Sequence, residues 1–69
     1  MTAYEAAEIL HNRRLEIGRS TSKFAEDSGI VPETVRNIEK HRTVPRIDVF
    51  FDMIDALGLE VRIVPKGEA

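Results

Sequence analysis

Three groups of side chains in this 69-residue chain could do chemistry: the histidines His11 and His41, the hydroxyl run Ser20, Thr21 and Ser22, and a concentration of cations. A metal centre needs histidines at ligand spacing, with cysteines or carboxylates completing the set. His11 and His41 are far apart and the chain has no cysteine, so neither a metal site nor a disulfide framework is expected. A nucleophilic hydroxyl needs a base beside it. No histidine is placed to serve the Ser20–Ser22 run, and helix capping explains Ser20. The glycines are isolated at the ends of helical runs, so no loop cradles a phosphate. The chain does not read as an enzyme, and no cofactor is expected. The cations are different. Of the 10 Lys and Arg residues, all but Arg62 and Lys66 fall between positions 13 and 46, namely Arg13, Arg14, Arg19, Lys23, Arg36, Lys40, Arg42 and Arg46. The net charge of −2 argues mildly against a polyanionic partner. A duplex feels the face presented to it, however, and not the total. The charge pattern permits nucleic-acid binding without demanding it.

The elements that must position these groups are mostly helical. Thr2 and Glu5 form a capping box, each side chain meeting a backbone N–H at the other's position. Behind it Ala6, Leu10, Arg14 and Ile17 recur at spacings of three and four, and Gly18 ends the run. Ser20 can cap a short second helix that buries Phe24 and Ala25 and closes at Gly29. Ile30 and Val31 are β-branched, and the residue before a proline avoids the helical region. Pro32 has its φ already set and lacks an N–H that a first turn would leave unpaired. It therefore starts a third helix, with Val35 and Ile38 facing inward and Glu33, Thr34, Arg36 and Asn37 outward. After the loop "HRTVP", the run "RIDVFFDMIDALG" reads as a fourth helix. Its core stripe is Ile47, Phe50, Ile54 and Leu57, widened by Phe51, with Gly58 as its stop. Val49, Met53 and Ala56 form a second apolar line, beyond what one small core would use.

The period then changes. "LEVRIV" alternates Leu59, Val61 and Ile63 against Glu60 and Arg62, which reads as a strand. A lone strand leaves its backbone groups unpaired. The economical solution is the same strand from a second copy, antiparallel across a two-fold axis.

The segments "LHNRRLEIG", "TSKFAEDSGI", "ETVRNIEKHRTVP" and "FFDMIDALGL" resemble, in order and spacing, the lambda-repressor-like (XRE-type) helix-turn-helix family. The resemblance covers roughly Ala7 to Leu59. It implies that the helix beginning at Pro32 lies in the major groove while the helix from Ser20 crosses the backbone. Base reading then falls to Pro32, Glu33, Arg36 and Asn37. Arg36 can give two hydrogen bonds to a guanine, Asn37 can do the same for an adenine, and Glu33 can accept from a cytosine amine. Phosphate contacts fall to Ser20, Thr21, Ser22 and Lys23, and to Lys40, Arg42 and Thr43. The family also implies a structural ion pair between Arg14 and Glu39, which suits a cation set in an apolar stripe. The chain departs from the family at four positions: Thr21 stands near where a longer polar residue such as glutamine is frequent, Val31 where a serine or threonine often caps the helix, Pro32 offers no hydrogen bond, and His41 stands where glycine is frequent.

The expected architecture is a mainly α, lambda-repressor-like bundle of four to five helices with a C-terminal β-strand pairing across a dimer. Residues 1–58 form the DNA-binding domain, 59–65 the dimerisation strand and 66–69 a flexible tail, with Val49, Met53, Leu59, Val61 and Ile63 at the dimer interface. The longest apolar runs are far short of a membrane span, and Glu5 and Glu8 stand where a secretion leader would carry positive charge. A cytoplasmic protein is expected, of bacterial or phage origin as the family implies. The function expected is sequence-specific binding to an inverted-repeat operator as a homodimer, repressing transcription. Two other readings stand beside it. The tail "ALGLEVRIVPK" resembles those of HipB-type antitoxins, which bind their own operator and also hold a toxin. The acidic balance would also suit an adaptor that keeps the fold without binding DNA.

Overall fold

A computed structural model describes residues 1–67. It contains four helices: α1 (Ala3–Glu16), α2 (Thr21–Ser28), α3 (Pro32–Glu39) and α4 (Ile47–Ala56). Helix α2 packs against both α3 and α4, and α1 packs against α3. The core they enclose centres on Leu10, Phe24, Val35, Ile38, Met53 and Leu57, with Ala7, Ala25 and Ile54 filling its edges. Burying an aliphatic or aromatic side chain contributes about 1.5–3 kcal/mol each, so six such side chains carry most of what a chain this short can gather.

Local chemistry sets the helix ends. The Thr2 hydroxyl accepts from the Glu5 N–H at 3.1 Å, while the Thr2 N–H donates to Glu5 Oε1 at 2.9 Å. The Ser20 hydroxyl accepts from the Lys23 N–H at 3.1 Å and so starts α2. Helix α2 stops because Gly29 turns left-handed at φ 73°, which lets the Ile30 N–H reach back to the Ala25 carbonyl at 3.0 Å. Helix α3 ends on the same pattern, with the Arg42 N–H on the Asn37 carbonyl at 2.8 Å. The left-handed residue there is His41 at φ 60°, the one non-glycine residue in that region among those described. For an L-residue this conformation costs roughly 1–2 kcal/mol. Two contacts offset it: the imidazole stacks on Tyr4 with ring centroids 4.1 Å apart, and its Nε2 lies 2.9 Å from Glu8 Oε1.

Helix α4 turns most of its expected stripe inward, with Phe50, Ile54 and Leu57 on or in the core, and adds Met53 to it. Met53 is fully buried and joins Ile54 and Leu57 in the core, with Val49, Phe50 and Ala56 packed at its margins. Ile47 and Phe51, expected inside, are exposed. Asp48, Asp52 and Asp55 recur at i, i+4 and i+7 and mark the outward face; Met53 and Leu57 lie opposite that line, whereas Ile47 and Phe51 flank it.

Residues 59–65 form no strand in the single chain, and no strand occurs among the described residues. A strand exists by virtue of its ladder, and one copy supplies no second edge. Leu59 packs on the core, whereas Val61, Ile63 and Val64 are exposed, Ile63 at 90 %. Lys66 and Gly67 form a turn; the remainder of the tail expected over 66–69 lies outside the described residues. Among the described residues, no helix is long and apolar enough to cross a membrane.

Candidate nucleic-acid interface

The turn at Gly29 sets the direction of α3 relative to α2, and the two helices then share Phe24, Ala25, Val35 and Ile38 at their contact. With Val35 and Ile38 turned into the core, the opposite face of α3 has to be polar. Glu33 and Arg36 are exposed there, and Pro32, Thr34 and Asn37 are half-buried. Arg36 Nη2 and Glu33 Oε2 are 3.3 Å apart, a loose contact between neighbouring turns. Beyond the end of α3, Lys40, Arg42 and Thr43 are exposed, and neither cation makes an ion pair among the described residues. Both flank His41, which Tyr4 and Glu8 hold against α1. At the start of α2, Ser20 and Ser22 are exposed and Thr21 half-buried, and Lys23 Nζ contacts Asp27 at 3.2 Å. The first turn of α2 and the α3–α4 loop thus each present hydroxyls and at least one cation, the groups that bind phosphate.

The remaining cations have other work. Arg14 forms a bidentate pair with Glu39: Nε donates to Oε2 at 2.7 Å and Nη2 to Oε1 at 3.0 Å. Its Nη1 donates to the Arg19 carbonyl at 2.9 Å, so the guanidinium spans α1, α3 and the turn after α1. His11 Nδ1 lies 3.0 Å from Glu39 Oε1, close enough for charge interaction but without the angles of a hydrogen bond. Burial is the largest single influence on Glu39 and pushes its carboxyl up. The hydrogen bonds and charge of Arg14, together with the close contact from His11, outweigh it and hold the group below its ordinary 4.5. The hydrogen bond to Glu39 likewise raises Arg14 against the opposing effect of burial.

The sequence places Arg13 on the helix surface and Arg19 in the basic cluster; in the structure both are half-buried. Arg13 Nε donates to the Leu57 carbonyl at 3.1 Å, and Arg19 Nη1 donates to the Ala56 carbonyl. Arg19 also contacts Asp27 at 3.2 Å. Both arginines satisfy carbonyls that the end of α4 leaves open. One signal for this was available: α4 has no basic residue in its own last turn, so its terminal carbonyls need donors from elsewhere.

The expected dimer residues are scattered. Met53 belongs to the core and cannot contact a second copy, Val49 and Leu59 are packed against that core, and Val61 and Ile63 are exposed. Other exposed apolar side chains are spread over the chain, among them Ile9 and Leu15 on α1, Val31, Val44, and Ile47 and Phe51 on α4. Ala6, Leu10, Ile38, Val44 and Phe50 line an open groove of about 300 Å³.

No protein-family model matches the chain, and no curated protein matches it.

Proposed function

We propose that this chain is a sequence-specific DNA-binding regulator of the lambda-repressor-like helix-turn-helix kind, a homodimer acting on an inverted-repeat operator as a repressor. The observation that carries this reading is the division of labour on α3. One face is locked into the core by Val35 and Ile38, while the other holds Glu33, Arg36 and Asn37 near solvent, followed by the unpaired cations Lys40 and Arg42. A helix held rigidly by one side and bearing hydrogen-bonding side chains on the other suits insertion into a major groove. In that pose Ser20, Thr21, Ser22 and Lys23 meet one stretch of phosphates, and Lys40, Arg42 and Thr43 another. Two subunits reading half-sites about one helical turn apart would account for the apolar surface on α4 and the tail. Strands over 59–65 would pair across their two-fold axis and supply the edge a single copy lacks.

The test is selection of bound sequences from a random duplex pool at near-physiological salt. An enriched inverted repeat, with affinity falling steeply as salt rises, is the expected outcome. Failure of a folded sample to enrich any sequence would overturn the reading and favour the adaptor. Arg36→Ala should cost about 1–3 kcal/mol in binding and relax one base position. The antitoxin reading has one observation in its favour: Val61, Ile63 and Val64 are exposed and follow the exposed Glu60, a mixed apolar and acidic stretch suited to a toxin partner. Capture of one stoichiometric partner that leaves operator binding intact would establish it.

A further inference from the structure

The segment that carries Lys40, Arg42 and Thr43 is held by little of its own backbone. The N–H groups of Lys40, His41 and Arg42 bond back to carbonyls of α3, but residues 43–45 make no backbone hydrogen bond among the described residues. Packing adds little there: Val44 is exposed, and a hollow of about 30 Å³ lies between this stretch and Ala3 and Ala7 of α1. His41 is the exception. Its imidazole, 23 % exposed, meets two side chains of α1. The ring stacks on Tyr4, centroids 4.1 Å apart and planes inclined by 29°, and its Nε2 lies 2.9 Å from Glu8 Oε1. An ionised carboxylate only accepts, so Nε2 is the donor. Tyr4 and Glu8 stand one turn apart on the same helix face, and both are exposed and outside the core. Two surface side chains thus hold a left-handed histidine, φ 60°, where a glycine would sit without strain. Strain of this kind persists only where its surroundings over-determine it. What these contacts over-determine is the direction of the chain between two exposed cations, Lys40 and Arg42.

Resting on the function proposed above, we infer that His41 is a positioning residue: clasped by Tyr4 and Glu8, it fixes the path of the chain beyond α3 so that Lys40 and Arg42 meet the phosphates. The imidazole faces α1 and not the ligand. A loop already ordered in the free protein loses less freedom on binding, and that is the advantage the clasp provides. Base reading stays with α3, so the clasp contributes affinity and leaves sequence preference alone.

The experiment measures binding of the duplex enriched from the random pool over a range of salt concentrations. Glu8→Ala decides most, because two effects oppose each other in it. Removing an exposed negative charge would by itself tighten binding to a polyanion. Losing the clasp should instead weaken binding about 5-fold, the cost of ordering one loop residue in the complex. The slope of log affinity against log salt should become shallower by about 1–2 per subunit as Lys40 and Arg42 leave their phosphates. Tyr4→Ala should behave alike, whereas Tyr4→Phe, which keeps the stacked ring, should bind as the native protein does. His41→Gly removes the clasp and the backbone strain together. It should unfold within about 5 °C of native and still show the weaker binding and shallower slope, which separates positioning from folding. Each variant should enrich the same sequence as native. Glu8→Ala binding as tightly as native or tighter, with its slope unchanged, would overturn the inference and leave the DNA-binding reading intact. So would weaker binding by Tyr4→Phe, since the hydroxyl would then be the contact. If the native protein enriches no duplex at all, both fall together.

Discussion

Arg14 and Arg36 are the same side chain in two different settings, and the contrast separates what builds this molecule from what it offers outward. Arg14 sits in the seam between α1 and α3, 11 % exposed, with two hydrogen bonds to Glu39 and a third to the Arg19 carbonyl. Arg36 stands on the outer face of α3, 49 % exposed, with only the 3.3 Å contact to Glu33. The first guanidinium has three of its five N–H donors committed inside the seam and little surface to offer a ligand. The second keeps most of its donors free. A basic cluster counted from sequence merges the two; only the second kind can read DNA.

The largest expected effect comes from breaking the seam. Glu39→Ala leaves a mostly buried arginine without its carboxylate, which should cost about 3–5 kcal/mol in urea unfolding. That is most of the stability a 69-residue chain has available. Replacing both partners, Arg14→Met with Glu39→Leu, should recover most of the loss, since two apolar side chains need no desolvation of charge. A double variant as weak as Glu39→Ala would show that the Arg14 bond to the Arg19 carbonyl matters more than the ion pair.

The same pair should make folding sensitive to acid. Because the folded state holds the Glu39 carboxyl below its ordinary 4.5, its stabilisation is fully present above that value and is lost as pH falls through the lowered one. Thermal unfolding between pH 7 and pH 3 should show this decline, and Glu39→Gln should flatten it. An identical decline in both proteins would place the acid sensitivity elsewhere.

Smaller effects separate the junction from the faces it joins. Gly29→Ala should destabilise by about 1–2 kcal/mol. Nothing lies within 4 Å of a Cβ built there, so the cost is the left-handed backbone alone. Ser28, by contrast, is buried with a hydroxyl that has no partner, and Ser28→Ala should raise stability by about 1 kcal/mol. Arg36→Ala closes the series. It should change unfolding by less than about 0.5 kcal/mol while impairing duplex binding. A large loss of stability would erase the distinction between the two arginines.

The sequence by itself determined where α1, α2 and α3 begin and where α2 ends, because those points depend on partners within a few residues. Thr2 with Glu5, Ser20 with the Lys23 N–H, the left-handed Gly29 and the preset φ of Pro32 all act locally, and each lies where its residue type requires. The pairing of Arg14 with Glu39 was legible through family resemblance and through the cost of an unpaired cation in an apolar stripe. Three features were decided only in three dimensions. Helix α4 carries two apolar lines opposite and beside its acidic one, and packing against α2 put Met53 in the core rather than on an outer surface. Arg13 and Arg19 found the open carbonyls of α4 because the end of α1 passes beside them, a proximity that no spacing along the chain encodes. Residues 59–65 alternate like a strand and form none in one copy, since a ladder needs a second edge and local pattern cannot supply it.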